Sequence, residues 1–197
     1  MSDKETLAVY AAKAEDYANL VSHTAPDDDL RAFLDLVATG GRVLDLGCGP
    51  GNSARMMQDA GLVVDASDAS PEMIAIAKAR HNIDARLESF DDLTARDCYD
   101  GIWANFSLLH APRADMPRHL RSIHRALKSR GVLHLGLKTG DTEGRDEVGR
   151  FYTYYSETEI RGLLSDADFT FYTIRHGEMA GLVRKTAEPF MIVTAYA

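Results

Sequence analysis

Hydrophobic residues near the start of the chain recur at the spacing of an α-helix. Four of them, three or four positions apart, predict one amphipathic opening helix: Tyr10, Ala14, Tyr17 and Val21. A second helix is predicted to begin at Pro26, because proline suits a first helical position and the three aspartates after it favour the positive end of the helix dipole. It is predicted to end at Gly40-Gly41.

Beyond this region, short apolar runs alternate with helical patterns. Strands are predicted at 42–46, 62–68, 85–88, 101–105 and 132–137, and helices at 52–60, from Ser70, from Met116 to Leu127, and from the capping box at Ser156. Two alternating runs, 169–175 and 190–196, close the chain, and the segment between them is too short for a helical crossover. The pattern predicts an α/β fold with a seven-stranded, mostly parallel sheet, helices on both faces and an antiparallel C-terminal strand.

The length of 197 residues suits one domain with a full core. We divide it into N-terminal cap helices at 1–39, a core at 42–137, a long connection at 138–155, and a C-terminal helix and hairpin at 156–197. No run approaches the roughly 20 apolar residues that span a bilayer, and the charged start lacks the apolar segment of a secretory signal. The sequence therefore predicts a cytoplasmic protein with no membrane partner.

Composition narrows the range of partners. The 30 acidic and 22 basic residues give a formal net charge of −8, and such a surface repels phosphate backbones. Nucleic acid is therefore an unfavoured partner. The two cysteines, Cys48 and Cys98, and the histidines show no metal-ligand spacing, so we predict no metal site and a reducing compartment. The oligomeric state stays unknown.

The segment V-L-D-L-G-C-G-P-G, residues 43–51, joins the first core strand to the helix that follows. Its glycines, Gly47, Gly49 and Gly51, allow a sharp turn and let a ligand approach the backbone closely. The start of the next helix exposes free amide groups to that ligand. A plain glycine-rich turn is the alternative interpretation.

An acidic residue ends the next strand, in V-V-D-A-S-D-A-S at residues 63–70. Asp68 follows Gly47 by about 20 residues, and a carboxylate at this place can accept hydrogen bonds from both hydroxyls of a ribose. Asp65 is a rival, but strand alternation and its distance from the next helix favour Asp68. The alternative role of Asp68 is to cap the helix that begins at Ser70.

Together these motifs resemble the class I S-adenosylmethionine-dependent methyltransferases that act on small molecules. The resemblance rests on D-L-G-C-G-P-G at 45–51 and S-D-A-S-P-E-M at 67–73, and it continues through Y-D-G-I-W-A-N-F-S-L-L-H at 99–110 and R-A-L-K-S-R-G-V-L at 125–133. It implies a Rossmann-like fold with an antiparallel seventh strand. One departure is Ala66-Ser67, where the family often has Gly-Val or Gly-Ile.

The resemblance implies S-adenosyl-L-methionine as the cofactor and S-adenosyl-L-homocysteine as the product. The backbone of Gly47 and Gly49 would pass the methionine part, with Asp45 near its ammonium group, and Asp68 would hold the ribose. The other implied contacts are Ala69 and Met73 beside the adenine, Ser89 and Phe90 at its edge, and the carbonyl of Asn105 at the ammonium group. Core packing is the alternative role of Met73 and Phe90.

Methyl transfer from a sulfonium is an in-line displacement, so alignment of the reacting atoms is its main demand. A base is needed only where the acceptor arrives protonated. His110, after the fourth strand, is the candidate base, because the ordinary pKa of histidine suits proton transfer at neutral pH. Shaping the pocket is its alternative role. The acceptor molecule and the acceptor atom stay open.

The connection at 138–155 is the candidate substrate loop, because long connections often carry binding residues. Its cations and tyrosines suit a carboxylate or aromatic acceptor, and a tyrosine of the opening helix would close the site from the other side. The predicted substrate contacts are Tyr17, Lys138, Arg145, Arg150 and Tyr152. A solvated loop anchored by tyrosines is the alternative.

Three other functions compete with transfer to a small acceptor. R-F-Y-T-Y-Y at 150–155 resembles a segment of wobble-uridine methyltransferases, which suggests tRNA modification, but the negative charge opposes it. An NAD-dependent oxidoreductase also uses a glycine loop and an acidic strand end, but its fingerprint needs glycine where Asn52 stands. A non-catalytic S-adenosylmethionine-binding protein would lack turnover, and no sequence motif separates it from an enzyme.

Overall fold

The computed structural model of the protein describes residues 3–180 and 187–197. Its α-helices are α1 Lys4–Ala12, α2 Ala14–Leu20, α3 Asp28–Leu36, α4 Asn52–Asp59, α5 Pro71–His81, α6 Met116–Ala126 and α7 Glu157–Asp166. Its strands are β1 Arg42–Leu46, β2 Val63–Asp68, β3 Arg86–Leu87, β4 Tyr99–Asn105, β5 Leu127–Lys138, β6 Glu143–Arg145, β7 Phe151–Thr153, β8 Thr170–Ala180 and β9 Ala187–Tyr196.

Seven of these strands form one sheet in the order β3-β2-β1-β4-β5-β9-β8. The pairs from β3 to β5 are parallel, whereas β9 is antiparallel to both β5 and β8. This confirms the predicted seven-stranded, mostly parallel sheet with its antiparallel C-terminal strand. β6 and β7 form a separate antiparallel hairpin inside 138–155, a segment that the sequence predicts as a loop.

Helices cover both faces of the sheet because its central strands are apolar on both sides. Val43 of β1 belongs to a buried cluster with Phe33 of α3. The next residue, Leu44, belongs to the cluster on the other face, which includes Leu120 of α6. Strands buried on both faces are typical of parallel sheets.

The N-terminal part differs from the single predicted helix. The chain leaves helical geometry at Lys13, whose φ is −128°, so α1 and α2 are separate helices. The apolar stripe continues across the break, where the rings of Tyr10 and Tyr17 meet edge to face with centroids 5.1 Å apart. The spacing of apolar residues alone therefore does not reveal the break.

Several other predicted boundaries also differ from the structure, and two of them have a clear physical reason. α3 begins at Asp28 rather than Pro26, because Asp27 takes the cap position and accepts a hydrogen bond from a backbone amide of the first turn. Leu127, which continues the apolar stripe of α6, instead opens β5 and pairs with Tyr99 of β4. Pairing within the sheet outweighs the helical spacing there.

Within residues 3–180 and 187–197, no helix is both long and apolar enough to cross a membrane. The same residues contain no group of three or more histidine, cysteine, aspartate or glutamate side chains placed to hold a metal ion. Cys48 is a buried free thiol, and Cys98 is a partly exposed one.

Candidate functional site

A cavity opens where β1, β2 and β4 have their carboxyl ends. The strand order reverses between β1 and β4, and ligands of open α/β sheets bind at such a point. The predicted site residues that line the cavity are Tyr17, Gly47, Gly49, Asp68, Ala69, Met73, Phe90, Asn105 and His110. Those that lie outside its lining are Asp45, Ser89, Lys138, Arg145, Arg150 and Tyr152.

The glycine loop after β1 has a backbone shape that other residues resist. Gly47 has a φ of +77°, and a Cβ added there would lie 2.5 Å from the Cβ of Ser107. The amides of Gly47 and Cys48 both donate to the carbonyl of Ser67, at 2.8 and 2.9 Å. The loop therefore turns tightly at the end of β2, and Gly47 and Gly49 lie on the cavity lining.

Asp68 joins this loop to the start of α5. One carboxylate oxygen accepts from the amide of Gly49 and the other from the amide of Ser70, both at 2.8 Å. Each oxygen keeps a lone pair for another donor. Burial raises the pKa of Asp68, and these amide hydrogen bonds oppose the rise. The rival Asp65 lies outside the lining and forms an ion pair with Arg42 at 2.8 Å.

Asp45, at the end of β1, is a buried carboxylate just outside the lining. Asp45 is 3% exposed, and its Oδ2 atom has no hydrogen-bond partner among the described residues. Burial, reinforced by the charge of Asp68, raises the pKa of Asp45 to about 8. A buried carboxylate without a cation is costly, so a cationic ligand group at this place would stabilise its charged form.

Apolar side chains form one part of the cavity wall. Ser70 caps α5 by accepting a hydrogen bond from the amide of Met73 at 3.3 Å, which fixes Met73 in the first turn. Met73, Ala69 and Phe90 line the same cavity. Apolar walls with a few polar groups are typical of small-molecule sites, and these three side chains suit the faces of a flat base.

His110 and Tyr10 form a hydrogen-bonded pair on the lining. The Nδ1 atom of His110 lies 2.6 Å from the carbonyl oxygen of Phe151, which can only accept, so Nδ1 carries a hydrogen. Burial lowers the pKa of His110 to about 4, so its ring is neutral at pH 7 and Nε2 bears a lone pair. The Tyr10 hydroxyl, 2.9 Å away, therefore donates to Nε2.

The predicted substrate residues of segment 138–155 face carboxylates or the core rather than the cavity. The three cations are ion-paired: Lys138 with Glu188 at 2.6 Å, Arg145 with Asp3 at 2.8 Å, and Arg150 with Asp146 at 2.7 Å. Tyr152 is buried, with its ring 4.6 Å from that of His110. The structure brings Tyr17 to the lining but not these four residues, whose substrate role stays a prediction.

The lining also contains residues that the sequence did not single out. Phe106 and Ser107 directly follow Asn105, and their place at a strand end was a usable signal. Leu7 of α1 and His119 of α6 also line the cavity. Neither had a signal of its own, because a leucine or a histidine on a helix is usually part of the packing.

Comparison with known sequences gives a family match for the core. Residues 43–131 match the family described as a methyltransferase domain. An uncharacterized methyltransferase of Staphylococcus carnosus is 29% identical over 68% of this chain and 63% of its own length. A ubiquinone biosynthesis O-methyltransferase of Xanthomonas oryzae is 35% identical over 55% of this chain and 46% of its own length. The matches thus span less than two thirds of these curated relatives.

Solved structures share the whole fold. A 1,6-didemethyltoxoflavin N1-methyltransferase of Burkholderia thailandensis, crystallised with 1,6-didemethyltoxoflavin and S-adenosylhomocysteine, has a TM-score of 0.73 and 19% identity over 98% of this chain and 87% of that one. A methyltransferase of Methanosarcina mazei has a TM-score of 0.75 and 16% identity over 87% of this chain and 98% of that one. The family match covers less than half of this chain, and the solved structures, at under 25% identity, show the fold: a Rossmann-like, mostly parallel sheet shared with S-adenosylmethionine-dependent methyltransferases.

Proposed function

We propose that this chain is an enzyme that transfers a methyl group from S-adenosyl-L-methionine to a small-molecule acceptor and leaves S-adenosyl-L-homocysteine. The observation that carries the proposal is the placement of Asp68, the glycine loop and Asn105 around one cavity at the carboxyl edge of the sheet. The chain would act as one domain, in which the helices of 1–39 close the cavity over the core at 42–137, while the described residues of segments 138–155 and 156–197 lie outside the cavity lining.

The residues of the site fit the parts of this cofactor. The ammonium group would meet the carbonyl of Asn105, with the buried carboxylate of Asp45 nearby behind the lining. The ribose hydroxyls would donate to Asp68, whose oxygens keep free lone pairs, and the adenine would lie between Met73 and Phe90. When bound, the cofactor supplies an electrophilic methyl group on a sulfonium.

His110 is proposed to receive the acceptor's proton through Tyr10. The Tyr10 hydroxyl already donates to His110 Nε2. An acceptor hydroxyl that donates to Tyr10 would therefore form a continuous series of hydrogen bonds from the acceptor to the neutral imidazole. The proton of the acceptor hydroxyl would pass to Tyr10 and the Tyr10 proton to Nε2 of His110, while the cofactor would supply the methyl group and keep the electron pair of the broken carbon–sulfur bond on its sulfur. The carbonyl of Phe151 holds the ring in the tautomer that this transfer needs.

The acceptor is proposed to be small and uncharged. The acidic residues of the lining are Asp3, Asp68, Glu88 and Asp91. The described lining contains no lysine or arginine, and the cations of segment 138–155 are matched by their own carboxylates. An anionic acceptor would therefore lose its hydration without gaining a cation. The same charge distribution disfavours a nucleic-acid acceptor.

Calorimetry with S-adenosylhomocysteine tests the cofactor assignment. The protein should bind one molecule per chain, and Asp68→Asn should weaken binding by about tenfold or more, the value of a hydrogen bond to a charged group. Asp65→Asn is the matched control, because this residue lies on the same strand but outside the lining. Absence of binding at millimolar ligand, or tighter binding of NAD, would refute the assignment.

Two further measurements separate the remaining alternatives. Transfer of a labelled methyl group from S-adenosylmethionine into a pool of small metabolites distinguishes an enzyme from a non-catalytic binding protein. A salt-sensitive gel shift with tRNA would favour a tRNA-modifying enzyme instead.

A cytoplasmic location is part of the proposal, and the free thiols of Cys48 and Cys98 fit a reducing compartment.

A further inference from the structure

The side chain of Tyr10 lies between two cavities. It lines the candidate cofactor cavity and also a second cavity, whose lining includes Lys13, Leu20 and Arg150. Within Lys4–Ala12, the helix that carries Tyr10 and that the structure describes throughout, Thr6 is the only buried residue. Core packing therefore leaves the ring of Tyr10 room to turn. The proposed proton transfer nevertheless requires its hydroxyl to stay on His110.

Arg150 contacts Tyr10 from the side of the second cavity. Its guanidinium carbon lies 5.7 Å from the centre of the Tyr10 ring and 5.2 Å from the centre of the Tyr152 ring. At such distances a cation is attracted to an aromatic face. Burial raises the pKa of Tyr10, and the positive charge of Arg150 opposes this rise. The guanidinium therefore acts on the hydroxyl of Tyr10 as well as on its ring.

Asp146 fixes the guanidinium of Arg150 in one orientation. Nε and Nη2 of Arg150 both donate to Oδ2 of Asp146, at 2.9 and 2.7 Å, and the Arg150 backbone amide donates to Oδ1 at 2.9 Å. Arg150 is only 6% exposed, and the cost of dehydrating a buried ion pair offsets most of its attraction. Net stabilisation alone is therefore a weak explanation for a buried arginine beside the candidate site.

Three consecutive residues contact the Tyr10–His110 pair. Arg150 lies against the ring of Tyr10. The carbonyl of Phe151 accepts a hydrogen bond from His110 Nδ1. The ring of Tyr152 lies 4.6 Å from the ring of His110. This short stretch of chain thus holds both members of the pair, and Arg150 is its contact with Tyr10.

We infer, resting on the proposed function, that Arg150 is a positioning residue: fixed by Asp146, it holds the ring of Tyr10 so that the hydroxyl stays on His110 Nε2. Without Arg150 the ring would be able to turn toward the second cavity, and the hydrogen bond to His110 would be lost. Arg150 lies outside the lining of the cofactor cavity. Its loss should therefore slow methyl transfer and leave the affinity for the cofactor unchanged.

Nitrogen NMR of the His110 ring tests the inference without an acceptor. The protein is saturated with S-adenosylhomocysteine at pH 8, well above the pKa of His110 of about 4. Tyr10→Phe gives the Nε2 resonance without the hydrogen bond, and Arg150→Met should move the resonance most of the way to that value. Arg150→Lys keeps the charge but loses the planar fork that Asp146 holds, so it should recover only part of the wild-type shift.

Arg161→Met is the matched control. Arg161 also pairs with a carboxylate four residues away, Glu157, and its guanidinium carbon lies 5.1 Å from the centre of the Tyr172 ring. It lies on α7, outside the lining of both cavities. Its replacement should leave the His110 resonance at the wild-type value.

Transfer of a labelled methyl group from S-adenosylmethionine into a fixed pool of small metabolites gives a second readout. Arg150→Met should lower the apparent kcat by about tenfold to a hundredfold, the effect of misplacing a reacting group by roughly 1 Å. The KM for S-adenosylmethionine and the calorimetric affinity for S-adenosylhomocysteine should stay at their wild-type values. A merely structural role would instead change affinity, rate and stability in urea together.

Wild-type NMR and kcat values in a folded Arg150→Met protein overturn the inference and leave the proposed function standing. Full recovery by Arg150→Lys also overturns it, because charge alone would then suffice. If Arg150→Met does not fold, Asp146→Asn provides the same test, since the guanidinium remains but loses its partner, and a wild-type His110 resonance there overturns the inference. Failure of the wild-type protein to bind S-adenosylhomocysteine overturns the proposed function and the inference with it.

Discussion

Replacing Asp45 by asparagine should stabilise the ligand-free protein, and the gain should grow with pH. In the unfolded chain this carboxyl group titrates near its ordinary pKa of 3.8, whereas in the fold burial raises the pKa to about 8. Between these values the unfolded chain releases the proton and the folded protein keeps it. The free energy of unfolding therefore falls as pH rises through this window. Asparagine resembles the protonated group and does not titrate.

The pKa values set the size of this effect. At pH 7 the solution lies about three pKa units above the unfolded value, and each unit is worth roughly 1.4 kcal/mol, so taking up the proton on folding costs about 4 kcal/mol. At pH 5 the same reasoning gives a cost of only about 1–2 kcal/mol. The advantage of Asp45→Asn should thus rise by about 3 kcal/mol between pH 5 and pH 7.

Urea unfolding of both proteins at pH 5, 6, 7 and 8, at constant ionic strength and without ligand, measures this difference. Asp84→Asn is the control, because the side chain of Asp84 is 83% exposed and its replacement removes a carboxylate without touching a buried group. A flat difference for Asp45→Asn would refute the reasoning. The same variant should bind S-adenosylhomocysteine about tenfold or more weakly, because the ammonium group loses its carboxylate.

Three further substitutions test the local structure of the site by urea unfolding and calorimetry. Gly47→Ala should cost about 1–3 kcal/mol and abolish cofactor binding, because of its positive φ and the contact with Ser107; wild-type binding would contradict this. Gly162→Ala, in the interior of α7 with free space for a Cβ, should instead stabilise the protein by about 0.5–1 kcal/mol, and a loss would contradict the helical argument. Ser70→Ala should cost about 1 kcal/mol through the lost cap on the Met73 amide, and an unchanged stability would show that the cap is dispensable.

Local constraints allowed the sequence to predict the sheet and several residues that line the cavity. Gly47 must be glycine because its own backbone has a positive φ, and Asp68 ends a strand whose carboxyl end is fixed by the alternation of elements. Both constraints act within a few residues, so local motifs are enough to predict that these two residues lie at the cavity. The order of helices and strands then limits the sheet to very few arrangements.

The tertiary structure decided which distant groups meet. Tyr10 bonds to His110 across 100 residues, and Arg145 bonds to Asp3 across 142 residues. No sequence pattern encodes such pairs, because the partners lie too far apart along the chain for local spacing to relate them. Asp3, Tyr10 and His110 line the cavity, so the protonation of His110 and the neutralisation of the loop cations became visible only in the folded chain. The backbone geometry of a short segment depends on residues that are neighbours in the sequence. Burial and charge pairing instead depend on how the whole chain packs.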